Sequence, residues 1–140
     1  MTLTSFLHDS HPALSLGGDW TLVSHSAHGG GRDISIPAQV PGCVHLDLMA
    51  AGVIPDPFFG RNEEEVQWVA RRDWRYERRF TLESAFPASG EGVRRQLVCE
   101  GLDTFAGLEL DGEPLGRAEN MFVPHRFDLP PSLGPGEHEL

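Results

Sequence analysis

Short alternating runs of apolar and polar residues, punctuated by Gly and Pro, cover most of this 140-residue chain. Residues 20–24 (Trp-Thr-Leu-Val-Ser) place Trp20 and Leu22 on one face of a predicted strand. Ile34-Ser35-Ile36 alternates again and is expected to pair back across a turn at residues 28–32, which holds Gly29-Gly30-Gly31. The strongest strand signal spans residues 74–82. There Trp74, Tyr76, Arg78, Phe80 and Leu82 share one face, while Arg75, Glu77, Arg79 and Thr81 share the other. Further strands are predicted over residues 94–100, 105–110 and 123–129, with Asp111-Gly112 as a hairpin turn. Residues 136–140 read as the opening of one more.

Two segments break the alternation with a helical period. Residues 44–51 read as a helix that follows the Val40-Pro41-Gly42 turn and stops at Gly52. Asn62 stands where a helix cap is expected, and Glu63, Glu64 and Glu65 suit the positive end of a helix dipole. Val66 and Val69 give this second helix an apolar side over about two turns. Between the helices, two prolines keep residues 54–60 irregular and Gly60 permits a turn. The expected fold class is all-β: an antiparallel β-sandwich with one or two short helices. Residues 1–16 read as a ragged lead-in, with Leu14 and Leu16 starting the first strand, and residues 17–140 as one domain whose last strand is cut short, leaving an unpaired edge.

Composition supports one folded domain: hydrophobic residues make up 39% and charged residues 23%. The formal net charge of −10 argues against nucleic-acid and anionic-membrane partners. All the basic residues are Arg; the group Arg71, Arg72, Arg75, Arg78 and Arg79 is interrupted by Asp73 and Glu77 and reads as strand-edge charge. Cys43 and Cys99 match no metal or redox spacing, and their apolar neighbours suggest buried free thiols. The first twenty residues lack a secretory pattern, and no apolar run approaches the roughly 20 residues of a membrane span. A cytoplasmic address is the expectation.

Several segments, in order, carry a family resemblance. Gly18-Asp19-Trp20-Thr21-Leu22 resembles the opening strand of family 2 glycoside hydrolases. Residues 40–48 (VPGCVHLDL) followed by 52–60 (GVIPDPFFG) resemble the β-mannosidase version of that domain. So do Asn62-Glu63, Trp68-Val69, Asp73-Trp74-Arg75-Tyr76, residues 100–104 (EGLDT) and Asn120-Met121-Phe122. The resemblance implies an N-terminal jelly-roll sandwich of the galactose-binding-like type. The remainder of its own polypeptide, immunoglobulin-like domains and a catalytic barrel, is its implied partner. The implied activity is retaining hydrolysis of terminal β-mannose, with both required carboxyl groups on the barrel. No catalytic residue and no cofactor is then expected in this chain, and the chain alone is expected to be inactive. The alternatives are an autonomous carbohydrate-binding module, and the same domain from a β-galactosidase or β-glucuronidase.

Asp56, Phe58, Phe59 and Asn62 are the candidate site residues. Proline-stiffened, aromatic loops are how rigid scaffolds present binding groups. Phe58 and Phe59 are suited to stacking on sugar faces, and Asp56 and Asn62 to bonding hydroxyls. The plainer reading has Phe58 and Phe59 anchoring a domain interface and Asn62 capping a helix. The pairs His8/His11 and His25/His28 have chelating spacing but no third ligand, so no metal is expected. His45 and Asp47 form no triad, for want of a nucleophilic Ser. Trp68 and Trp74, on a helix end and a strand, are expected to form no shared flat surface for a sugar. Glu100, Asp103 and Asp111 read as ordinary surface charges.

Overall fold

The computed structural model describes residues 2–5, 12–25, 32–84, 86 and 93–140. In chain order, strands β1 (Thr2–Ser5), β2 (Ala13–Ser15), β3 (Gly18–Ser24) and β4 (Ile34–Val40) come first. Helices α1 (Val44–Ala50) and α2 (Asn62–Val66) and a 3-10 turn at Val69–Arg71 follow. Strands β5 (Arg75–Glu77), β6 (Arg79–Leu82), β7 (Arg95–Cys99), β8 (Ala106–Leu110), β9 (Glu113–Ala118), β10 (His125–Asp128) and β11 (Gly136–Glu139) complete the chain. The protein is therefore all-β with two short helices, as its alternation predicts. It divides into two compact units, Gly18–Arg78 and Met1–Gly17 with Arg79–Leu140.

In the Gly18–Arg78 unit, β3 is the middle strand of an antiparallel sheet of order β4-β3-β5. Its central position explains why Trp20, Leu22 and Val23 are all buried, although they point to both faces. β4 is an edge strand, so Pro37 fits opposite Thr21 without breaking a ladder on both sides. The chain then turns at residues 40–42, where a Cβ on Gly42 would collide with the Gln39 carbonyl oxygen. Helix α1 presents Asp47 and Leu48 inward, and Gly52 ends the helical segment with φ +68°. Ile54, Val66 and Val69 add the remaining buried apolar contacts of this stretch.

The other unit holds an antiparallel sheet of order β10-β7-β1-β2, a β11–β6 pair and a β8–β9 hairpin. The hairpin turns at Asp111 and Gly112, both with positive φ, as a type I′ turn requires. Leu97, Cys99, Leu108, Leu110, Phe80 and Leu82 are buried here. A Cβ on Gly116 would overlap the Phe127 ring, so glycine at this position admits an aromatic side chain against β9. Arg95 is 3% exposed and donates to the Leu133 carbonyl at 2.6 Å, which ties the loop after β10 to β7.

Asp111 joins the hairpin to β11. Its carboxylate accepts from the Glu139 N–H at 2.8 Å and lies 2.7 Å from His138 Nδ1, while its own N–H donates to the Glu139 carbonyl. His138 Nε2 lies 2.8 Å from the Gly134 carbonyl, and its ring packs 5.7 Å from Phe80. Asp111 is thus a structural clamp rather than an ordinary surface charge. Burial alone would raise its pKa. The Glu139 N–H, the His138 hydrogen bond and the His138 charge outweigh that and hold it below the usual carboxylate value.

Several expectations need correction. The strand predicted over residues 74–82 breaks at Arg78. β5 pairs with β3 and β6 pairs with β11, so the chain passes from one unit to the other where a charged residue interrupts the apolar face. The lead-in holds the strand expected at Leu14, as β2, but it is not ragged where it is described, because β1 pairs with β7 and β2 pairs with β1. Residues 136–139 do form a strand and pair with β6. Cys99 is buried but Cys43 is exposed, since Cys43 lies just before α1 in extended backbone. The Gly29-Gly30-Gly31 turn and His8, His11 and His28 lie outside the described residues.

Two predictions follow from this packing. Burial pushes the Cys99 thiol up to about 11, leaving little thiolate near neutrality. An aromatic disulfide reagent at about pH 7.5 should label the exposed Cys43 quickly in the native chain, and the buried Cys99 only after denaturation. Fast reaction of both thiols would contradict the packing around β7. The second concerns pH. With a folded pKa below its unfolded value of about 3.9, Asp111 contributes stability at higher pH that is lost as pH falls through the folded value. Asp111→Asn should therefore lower the melting temperature at neutral pH and flatten its decline between about pH 5 and pH 2. Parallel melting curves for the two proteins would show that the clamp carries no such linkage.

Candidate functional site

The loop between α1 and α2 is built from its ends inward. Helix α1 fixes the start: the Val53 and Ile54 N–H groups both donate to the Leu48 carbonyl, at 2.8 and 3.4 Å, and Ile54 is buried. Val66, buried on α2, fixes the other end. Between them the chain bonds largely to itself. Asp56 Oδ1 accepts from the Phe58 N–H at 2.9 Å, an Asx turn of the kind Asp forms readily. The Asp56 carbonyl accepts from the Phe59 N–H at 3.2 Å and from Asn62 Nδ2 at 2.9 Å. The Asn62 N–H donates to the Phe59 carbonyl at 3.2 Å, and Gly60 takes φ +62° to close the turn.

All four predicted site residues therefore belong to one compact loop, but with divided roles. Asp56 Oδ1 and Asn62 Nδ2 face into the loop and hold its shape. Phe58 and Phe59 face out, 97% and 76% exposed, although aromatic side chains are ordinarily the most strongly buried by area. Asn62 is the first residue of α2 and not its cap. Arg61 takes the cap position without a side-chain cap bond and instead pairs with Glu64 Oε1 at 2.6 Å. The Asp56 carbonyl engages the Asn62 amide, which leaves it no part in capping.

Two further clusters support this unit. Asp47 is buried and accepts from the Gln39 N–H at 3.0 Å and from the Tyr76 hydroxyl at 2.7 Å, linking α1 to β4 and β5. Burial, followed by the hydrogen bond and charge of Asp47 and the influence of Cys43, drives the Tyr76 pKa far above the ordinary tyrosine value. Tyr76 thus stays a hydroxyl donor across the physiological range. The helical period already carries the signal for Asp47: positions 44, 47, 48 and 51 form one face, which puts a carboxylate among apolar residues.

In the second cluster Trp68 and Trp74 make contact, but their ring planes are tilted 45° apart and form no shared flat surface, as expected. Their ring centroids lie 6.0 Å apart, and the Arg72 guanidinium carbon sits 5.7 Å from both. Arg72 also donates to the Arg32 carbonyl at 3.0 Å, and Trp74 Nε1 donates to the Val69 carbonyl at 2.9 Å. Cation–π contact and these hydrogen bonds pin the 3-10 turn after α2. Arg75 pairs with Glu77 at 3.7 Å, in keeping with the local pairing expected of the Arg group. His25 lies 3.6 Å from Asp33, and among the described residues no group of three or more His, Cys, Asp or Glu converges.

The family described as Glycosyl hydrolase 2 galactose-binding domain-like matches residues 20–140. Beta-mannosidase B of Thermothelomyces thermophilus is 44% identical over 103 residues, 74% of this chain and 12% of that protein. The Beta-mannosidase of Capra hircus is 36% identical over 117 residues, 84% of this chain and 12% of that protein. The crystal structure of Beta-D-Mannosidase from Dictyoglomus thermophilum aligns with a TM-score of 0.78 at 40% identity, covering 90% of this chain and 14% of that one. A GH2 beta-galacturonidase from Eisenbergiella tayi shares the fold at a TM-score of 0.56 and 20% identity, over 89% of this chain and 17% of that one. The chain thus spans about an eighth of the length of the curated relatives it matches. With residues 20–140 matched, the chain belongs to the galactose-binding-like domain family of the family 2 glycosyl hydrolases, in the form that β-mannosidases carry.

Proposed function

We propose that this chain is the non-catalytic N-terminal domain of a β-mannosidase, and that its α1–α2 loop docks against the remainder of the same polypeptide. In this reading the whole enzyme removes terminal β-mannose with retention, by a nucleophile and an acid/base carboxyl about 5 Å apart in another domain. The chain by itself turns over no substrate. The observation that carries the docking role is the exposure of Phe58 and Phe59 on a loop whose shape is fixed by its own hydrogen bonds. A pre-ordered loop loses little conformational entropy on docking, and paired aromatics are the residues that anchor interfaces. A direct sugar contact is less well supported, because Asp56 Oδ1 and Asn62 Nδ2 already have partners within the loop.

Phe58→Ala/Phe59→Ala in the full-length enzyme tests the role. Both rings are exposed in this chain, so its own fold should shift by no more than about 0.5 kcal/mol. Docking predicts that the whole enzyme loses roughly 2–4 kcal/mol of stability, as two interface anchors do, with KM for an aryl β-mannoside essentially unchanged. A raised KM with unchanged melting would place the rings at the substrate instead. No change in either would remove the loop from both roles.

A further inference from the structure

On the outer face of the β8–β9 hairpin lies a shallow cleft of about 240 Å³, lined by Phe105, Ala106, Gly107, Arg117, Ala118 and Glu119. Its origin can be read from the register. Gly107 pairs with Arg117 and Ala106 with Ala118, so alternation puts Phe105, Gly107, Arg117 and Glu119 on the side opposite the buried Leu108 and Ala118. Gly107 has no positive φ, and a Cβ added there would meet nothing within 4 Å. Its backbone conformation does not need glycine; the missing side chain simply leaves a floor. Phe105, 83% exposed, forms one wall.

The polar walls define what fits. Among the described residues, no hydrogen bond or ion pair engages the Arg117 or Glu119 side chain. A guanidinium only donates and a carboxylate only accepts, whereas a hydroxyl does both. Two neighbouring hydroxyls on one ring would therefore satisfy Arg117 and Glu119 together. A phosphate would meet the Glu119 charge and an ammonium the Arg117 charge, so the paired signs select against ions. The electron-rich face of Phe105 suits the C–H face of a saturated ring. The volume lies below the roughly 300–1,000 Å³ of pockets for drug-sized ligands, which limits the occupant to one ring.

We propose that this cleft is a binding subsite for a single neutral pyranose, stacked on Phe105 with adjacent hydroxyls held by Arg117 and Glu119. The subsite lies within the Met1–Gly17/Arg79–Leu140 unit and does not depend on the role given to Phe58 and Phe59. The test is an amide NMR titration of the full chain with methyl β-D-mannopyranoside, and in parallel with inorganic sulfate. Saturable shifts at Phe105, Gly107, Arg117 and Glu119 are expected, with Kd in about the millimolar range. Gly107→Leu, whose Cβ meets nothing within 4 Å and whose side chain would occupy the cleft, should abolish them. Arg117→Gln and Glu119→Gln should each weaken binding about tenfold, and Phe58→Ala/Phe59→Ala should leave it unchanged. Amide positions away from the hairpin report whether each variant is folded. The proposal is overturned if no saturable shift occurs at these amides, if binding survives Gly107→Leu, or if sulfate binds there in place of the sugar.

Discussion

The Gly18–Arg78 unit depends on one buried carboxylate. Asp47 lies on the inner face of α1, 5% exposed, where an unpartnered charge would be strongly destabilising. It is tolerated because a backbone N–H from Gln39 and the Tyr76 hydroxyl converge on its two oxygens. Those bonds bring the helix, an edge strand and β5 into one arrangement. Everything between α1 and α2 inherits its position from that arrangement, because the Leu48 carbonyl holds Val53 and Ile54 directly. Asp47 and Tyr76 are positioning residues for the loop.

The loop itself illustrates a division of labour that follows from simple chemistry. Backbone and side-chain polar groups that could recognise a ligand are also groups by which a proline-rich segment can hold a fixed shape. Here Asp56 and Asn62 serve the second purpose, and what remains for an outside partner is aromatic surface. The β8–β9 hairpin shows the opposite allocation. Its shape comes from ladder pairing and a positive-φ turn, which leaves Arg117 and Glu119 available at the surface. Two exposed aromatic features on one chain therefore present different chemistry: one apolar, the other mixed.

Much of this was legible in the sequence, because strand and helix faces follow from local periodicity. The alternation around Trp20 and Leu22, the helix from Val44, the Asp111-Gly112 turn and the position of the Asp56–Asn62 segment all required only neighbours in sequence. The family resemblance, carried by short segments from Gly18-Asp19-Trp20 to Asn120-Met121-Phe122, led to the same domain that the structural and sequence relatives identify. What could not be read was closure through space. Trp68, Arg72 and Trp74 come together around the 3-10 turn, a contact that no local periodicity announces. Asp111 gains its partners from residues nearly thirty positions later. Arg78 fits the strand alternation, yet the strand breaks there because its two halves pair with different partners. Cys43 shows that apolar neighbours say little about burial when the residue precedes a helix whose Leu46 is itself exposed.

The dependence of the loop on Asp47 is the claim most directly open to measurement, by amide hydrogen exchange on Asp47→Ala beside the unaltered chain. The substitution leaves the Gln39 N–H and the Tyr76 hydroxyl without their acceptor, at a cost of roughly 2–4 kcal/mol. The account predicts that Gln39 and the Val53 and Ile54 amides lose protection together, while the amides of β7 and β10, in the other unit, keep theirs. Unchanged protection at Val53 and Ile54 would contradict it, because the loop would then be held independently of the buried carboxylate.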